Sequence, residues 1–149
     1  MDKRAFINKV AIVTGAGQGI GFEICRQLAL EGAHVILNDI DADLAEKAIE
    51  IIHQENSTCI AMPGDSSDLD FIQSMIDKAV STFGQLDIVI ANAGITLFGD
   101  FLTYSPEAFN SVMKVNLQGT FFLAQAAVKQ MMGQKSGGSI LFTSSVTGH

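Results

Sequence analysis

At 149 residues the chain is long enough for one buried core and one domain, and its 48% hydrophobic and 17% charged residues exclude a disordered polymer. A net charge of −7, with nine basic residues that never cluster, excludes nucleic acid and anionic membrane surfaces as expected partners. No apolar run reaches membrane-span length, Met1-Asp-Lys-Arg4 leads into a strand rather than a signal sequence, and two cysteines are too few for a disulfide framework or a metal site, so a reducing cytoplasm is the expected setting.

The first element is the β-branched run Val10-Ala-Ile-Val13, which reads as a buried strand. Thr14-Gly-Ala-Gly-Gln-Gly-Ile-Gly21 follows, then an amphipathic helix over 22–31 with Ile24, Leu28 and Ala29 on one face. Strand, glycine turn and helix form the geometry that cradles a pyrophosphate, because glycine lets the backbone approach and first-turn N–H groups point at negative charge. Gly15, Gly19 and Gly21 are spaced G-x-x-x-G-x-G, which departs from the general dinucleotide pattern G-x-G-x-x-G. Gly15, Gly17 and Gly19 also fit the looser G-x-G-x-G of S-adenosylmethionine-dependent methyltransferases. Alone, the loop says only that a nucleotide binds.

Gly32 stops the first helix, and His34-Val-Ile-Leu-Asn-Asp39 reads as a second strand. Asp41 caps a helix to Glu55 with Leu44, Ala48 and Ile52 inward. Thr58 to Met62 is a third strand. Ser66 or Ser67 caps the next helix, whose stripe is Leu69, Ile72, Ile76, Ala79, Val80 and Phe83, ended by Gly84. Leu86 to Ala91 is a fourth strand, and a loop runs from Asn92 to Tyr104. Ser105-Pro106 opens a long helix reaching about Met132, closed off by Gly137-Gly138 before a fifth strand, Ser139 to Thr143. The six methionines are expected to fill core space, and His34, His53 and His149 to be structural or at the surface.

Alternation of helices with strands apolar on both faces predicts a Rossmann-like, doubly wound parallel α/β sheet in the order 3-2-1-4-5. Its fifth strand is left as an apolar edge that further polypeptide or a partner should cover. Phe121-Phe-Leu-Ala124 and Ala126-Ala-Val128 put apolar groups on more than one face of the helix over 106–132. The surplus suits a helix–helix contact in a homodimer or homotetramer. Cover by further chain is the competing reading.

Ligands of such sheets bind beyond the carboxyl ends of the strands. Thr14-Gly15, Asp39, Asp65, Asn92-Ala-Gly94 and Ser144-Ser145 all fall there. A carboxylate at Asp39 can accept hydrogen bonds from both hydroxyls of an adenosine ribose and would repel a 2′-phosphate. No Arg or Lys stands in the glycine loop or beside Asp39, so NAD is expected and NADP disfavoured.

Together Thr14 to Gly21, Asp39, Asp65, Asn92-Ala-Gly94, Asn116 and Gly138 to Ser145 resemble the short-chain dehydrogenase/reductase family. Asn-Ala-Gly after the fourth strand, combined with the glycine spacing, counts against a methyltransferase. The resemblance covers essentially all of residues 1–149 and implies an NAD(P)-binding Rossmann domain, the N-terminal part of a longer chain. It implies that Gly15, Gln18, Gly19, Ile20 and Gly21 shape the pyrophosphate and ribose site, that Asp39 binds the adenosine ribose, and that Asp65 and Ser66 meet the adenine. Asn92, Ala93 and Gly94 would line the path to the nicotinamide ribose. Ser145 matches the family serine that polarises a substrate carbonyl or hydroxyl, and Asn116 the asparagine that holds a water in the proton relay.

The family's Tyr-x-x-x-Lys pair should follow Ser145, but the chain ends at His149, and Tyr104 lacks a lysine four residues on. Hydride transfer at a carbon–oxygen bond needs a matched proton transfer, which a tyrosine beside a cation can supply. The implied activity is interconversion of a secondary alcohol (sugar, polyol or hydroxysteroid-like) and a ketone, with the 149-residue chain inactive alone. A 3-oxoacyl-thioester reductase and a truncated, non-catalytic nucleotide-binding module are the alternatives.

Overall fold

A computed structural model describes residues 4–55 and 57–145, so Met1-Asp-Lys3 and the terminal His149 lie outside the described residues. Strands β1 (Val10–Val13), β2 (His34–Leu37), β3 (Cys59–Ala61), β4 (Ile88–Ala91) and β5 (Ser139–Phe142) form one parallel sheet in the expected order β3-β2-β1-β4-β5. Helices α1 (Gly19–Leu30), α2 (Ala42–Gln54), α3 (Leu69–Phe83), α4 (Pro106–Met113) and α5 (Thr120–Gln134) lie in the connections.

Strand periodicity explains why both faces carry helices. Ala11 and Val13 of β1 pack with Leu28 and Ala29 of α1 and with Ile52 of α2, whereas Val10 and Ile12 pack with Ile72 of α3 and Leu123 of α5. In β2, Val35 and Leu37 take the first side and Ile36 the second. Burying each of the valine, leucine and isoleucine side chains among these contributes about 1.5–3 kcal/mol, which holds the strand ends in fixed register. Cys25 and Cys59 are free and lie in the first core, where burial pushes the Cys25 thiol well above its ordinary pKa and the Cys59 thiol up to about 12. Both are packing residues at neutral pH.

The boundaries carry corrections. Helix α1 starts at Gly19, earlier than the amphipathic pattern indicates, so Gly19 and Gly21 belong to its first turn. Asp41 caps α2 as expected, accepting from the Leu44 amide at 3.1 Å. Helix α3 is capped by Asp68, through the Phe71 amide at 2.8 Å, and not by Ser66 or Ser67. Ser67 is buried with its hydroxyl committed to Asp65. Leu69 is exposed, and the buried stripe is Ile72, Met75, Ile76 and Ala79.

Ser105 caps the last long helix, its Oγ accepting from the Ala108 amide at 3.1 Å, with Pro106 at the first position. This helix is not uniform. A π-helical turn, Lys114–Gly119, separates α4 from α5, and left-handed Lys135 ends it at Gln134. Met75 and Met131 fill core, but Met113 and Met132 are exposed on this rod, against the expectation for the methionines. Leu141 and Phe142 of β5 are exposed as well, as an uncovered fifth strand requires. No helix among the described residues is long and apolar enough to cross a membrane.

Candidate functional site

The carboxyl ends of the strands converge on a cleft of about 470 Å³, within the range of small-molecule sites. Its floor is a set of bonds joining strand ends. The Thr14 hydroxyl accepts from the Asn92 and Ala93 amides, each at 3.1 Å, which ties β1 to β4. Asn92 Nδ2 donates to the Thr14 carbonyl at 3.1 Å and the Gly15 carbonyl at 3.0 Å, and its Oδ1 accepts from the Thr143 hydroxyl at 3.0 Å. Asn92 is therefore a clamp across the ends of β1, β4 and β5, and it brings Ala93 and Gly94 to the lining behind it. Gly15 is left-handed at φ +61°, and a Cβ there would stand 2.7 Å from Ala93 Cα, so only glycine lets the two strand ends close.

One wall is the N-terminus of α1. Helices α2, α3 and α4 each have a side-chain cap, whereas Gln18 at the head of α1 makes none, and the first turn of α1 carries no acidic residue. The first-turn amides of α1 thus keep donor capacity toward the cleft, where Gln18, Ile20 and Gly21 line it. Gly21 packs beneath the Gly15 carbonyl and Asn92. Gly19, outside the lining, faces open space at φ +62°. Two loop amides point the other way: Ala16 N–H donates to the Asn38 carbonyl and Gly17 N–H to Asp39 Oδ2, both at 2.8 Å.

The facing wall holds Asp39, Asp65 and Ser66. Asn38 Nδ2 donates to the carbonyls of Met62 (2.9 Å) and Gly64 (3.0 Å), fixing the end of β2 against that of β3. Asp65 Oδ1 accepts from the Ser67 hydroxyl at 2.5 Å and the Ser67 amide at 2.8 Å, and Oδ2 meets Lys114 Nζ at 3.2 Å. The Ser67 hydroxyl, opposed by burial and aided by the Ser67 amide and the Lys114 ammonium, holds the Asp65 carboxyl below the usual carboxylate range. Lys114 therefore reaches the rim with its charge paired.

At the other end, Asn116 sits in the π-helical turn. Its Oδ1 accepts from the Ile95 amide at 2.8 Å and its Nδ2 donates to the Ile95 carbonyl at 2.9 Å. Both polar groups of that side chain are used to hold the segment after Gly94. Neither Asn116 nor Ser145 is part of the cleft lining, and Ser145 lies exposed beyond β5. Tyr104 bonds within its own loop, its hydroxyl donating to the Leu97 carbonyl at 2.7 Å. His34 stacks on Phe83, with ring centroids 4.6 Å apart, and His53 Nε2 lies 2.7 Å from the Cys59 carbonyl oxygen. No group of three His, Cys, Asp or Glu side chains among the described residues is placed to hold a metal.

The lining also contains Asn38, Ile40, Ile95, Val115 and Thr143, which the motif reading passes over. Asn38 and Thr143 adjoin residues read from the rim, so their position at strand ends was the available signal. Ile40 is 75% exposed, an unusual place for isoleucine directly after Asp39. Val115 arrives through the π-helical turn, which leaves no local mark in the sequence.

Five parallel strands in this order, with a glycine-rich first crossover opening on a cleft, define a Rossmann-like α/β domain. Residues 9–149 match the model of the short chain dehydrogenase family, and the chain belongs to that family. It is 41% identical over 147 residues to versicolorin reductase of Emericella nidulans, covering 98% of this chain and 54% of the relative. It is 38% identical over 141 residues to trihydroxynaphthalene reductase of Pestalotiopsis fici, covering 94% and 49%. A crystal structure of a short-chain type dehydrogenase/reductase from Mycobacterium marinum superposes with a TM-score of 0.93 at 30% identity, over 97% of this chain and 58% of that one. The chain spans about half the length of the curated relatives it matches.

Proposed function

We propose that this chain is the cofactor-binding part of an NAD-dependent oxidoreductase that interconverts a secondary alcohol and a ketone in the cytoplasm. The observation that carries the reading is the uncapped N-terminus of α1 facing the Asp39 carboxylate across one cleft. Amides at the head of α1 suit a diphosphate, and the Asp39 carboxylate suits an adenosine ribose with both hydroxyls free. Asp65 and Ser66 take the adenine end, and Ala93 and Gly94 the nicotinamide ribose end. Hydride exchange is the chemistry that the dinucleotide supplies when bound. Ser145 orients and polarises the reacting oxygen, and Asn116 maintains the segment beside it. The family's tyrosine and lysine are supplied from outside these 149 residues. The relative named a trihydroxynaphthalene reductase favours a hydroxylated ring compound as substrate.

The intact protein should give heat on calorimetric titration with NAD+, while the verified 149-residue chain should turn over no alcohol with NAD+ or NADP+. An intact protein that gives heat with neither dinucleotide would overturn the cofactor assignment. Turnover by the fragment would overturn the division of labour.

We further propose that the intact protein is a homodimer or homotetramer through residues 106–132. Phe109, Met113, Leu117 and Phe121 recur at helical spacing along one exposed face, with Val128 and Met132 exposed further along the rod. A continuous apolar stripe on a solvent-facing helix supports self-association. Replacing Phe121 by Asp is expected to shift the intact protein to smaller species in light scattering after size exclusion. An unchanged mass would remove this surface as the contact.

A further inference from the structure

We infer that Gly17 is a positioning residue for cofactor choice: its amide fixes the Asp39 carboxylate in the orientation that selects an unphosphorylated ribose. The inference rests on the NAD reading above. Gly17 N–H donates to Asp39 Oδ2 at 2.8 Å, and Asp41 N–H donates to Oδ1 at 3.1 Å. The Asp39 main-chain carbonyl in turn accepts from the Gly64 amide at 2.9 Å. The carboxylate is therefore gripped on both oxygens while its backbone is tied to the end of β3. Each oxygen retains a further lone-pair direction, which is what a ribose diol needs from it. A carboxylate held this way is preorganised, and the cofactor does not spend binding free energy ordering it.

Gly17 differs from its neighbours in the glycine loop. Gly15 and Gly19 have positive φ, whereas Gly17 does not, so a left-handed backbone is not what demands glycine here. Space is what demands glycine. A Cβ at this position would stand 2.8 Å from Leu44 Cβ and 2.9 Å from Asp39 Oδ2, with Asp39 Cγ at 3.0 Å. Leu44 Cβ cannot retreat easily, because it belongs to the first turn of α2, where the Leu44 amide is bonded to the Asp41 cap. The movable partner is the carboxylate. Adding one methyl group to Gly17 thus turns Asp39 away from the ribose and lengthens the bond that aims it. The Gly17 amide is also spent on a carboxylate and not on phosphate, so diphosphate affinity does not explain glycine here.

The test is calorimetric titration of NAD+ and NADP+ into the intact protein and its variants, read as the ratio of the two affinities. Gly17→Ala is expected to lower the NAD+ preference about tenfold, chiefly by weakening NAD+, the size of one misplaced charge-assisted hydrogen bond. A merely structural role for Gly17 would weaken both dinucleotides in proportion and leave the ratio at the wild-type value. Asp39→Glu keeps the charge, but its longer side chain cannot keep both oxygens on the Gly17 and Asp41 amides, so it should lose preference too. Discrimination by charge alone would leave it intact. Wild-type ratios in both variants overturn the inference; if Gly17→Ala does not fold, the Asp39→Glu ratio decides alone. Asp39→Ala separates the two levels. A wild-type ratio there defeats the NAD reading itself, whereas a changed ratio there with no change in the other two defeats only the role of Gly17.

Discussion

Asp39→Ala is expected to bind NAD+ between about ten- and a hundredfold more weakly than the wild-type intact protein, and to lose most of its discrimination against NADP+. The affinity loss follows from removing the charged acceptor of the ribose hydroxyls: a net loss the size of one hydrogen bond to an ionised group, about 1.5–3 kcal/mol, corresponds to roughly ten- to a hundredfold. Discrimination falls for a separate reason. A carboxylate next to a 2′-phosphate is a like-charge contact, and its removal favours NADP+ while doing nothing for NAD+. Because Asp39 also accepts from the Gly17 and Asp41 amides, the alanine variant leaves both without that acceptor. Asp39→Asn is the cleaner companion. It retains an oxygen for one of those amides and removes the charge, so it should relieve the NADP+ penalty with less loss of thermal stability. Unaltered titrations of both cofactors in Asp39→Ala would show that the carboxylate does not read the ribose.

Ser145→Ala, made in the intact protein, should lower kcat by roughly a hundred- to a thousandfold, the usual cost of removing one donor aimed at a developing oxyanion. Cofactor affinity should stay close to wild type, because Ser145 lies beyond β5 and outside the cleft lining. That split is informative. A variant that lost cofactor and turnover together would place Ser145 in the architecture of the strand ends, alongside Thr143 and Asn92. Wild-type turnover would remove Ser145 from the reaction altogether.

Several features of the fold were legible because they are local. Val10 to Val13 and Val35 to Leu37 are apolar without interruption, and a strand buried on both faces belongs to a parallel sheet. Asp41 and Ser105-Pro106 announced helix starts through chemistry that works within one turn. Asp68 shows the limit of that logic. Ser66, Ser67 and Asp68 are all acceptable caps by residue type; in the fold Ser67 is engaged by Asp65 and Asp68 takes the cap.

The candidate site divides in the same way. Gly15, Gln18, Gly21, Asp39, Asp65 and Ala93 could be read from their order along the chain, because each stands past the end of a strand or at the head of the helix that follows it, and a parallel sheet gathers all its strand ends on one rim. The π-helical turn could not be read. An apolar pattern over residues 106–132 looks continuous, and the wide turn at Lys114–Gly119 is fixed by what it touches: Ile95 through Asn116 and Asp65 through Lys114. Asn92 lines the cleft, and the bonds of its side-chain groups to the ends of β1 and β5 are what its place in the chain does not announce.

What the amino-acid order determined by itself was the parallel sheet, its strand order and the rim where polar residues collect, since strand propensity, caps and glycine spacing act over a few residues. Only the tertiary structure decided how those rim residues divide their hydrogen bonds. The Gly17 amide goes to Asp39, the Asn116 side chain to Ile95 and the Asn92 side chain to the ends of β1 and β5, partners 21 or more residues away in each case. Such pairings depend on distances set by packing across the sheet, and no local rule of sequence encodes them.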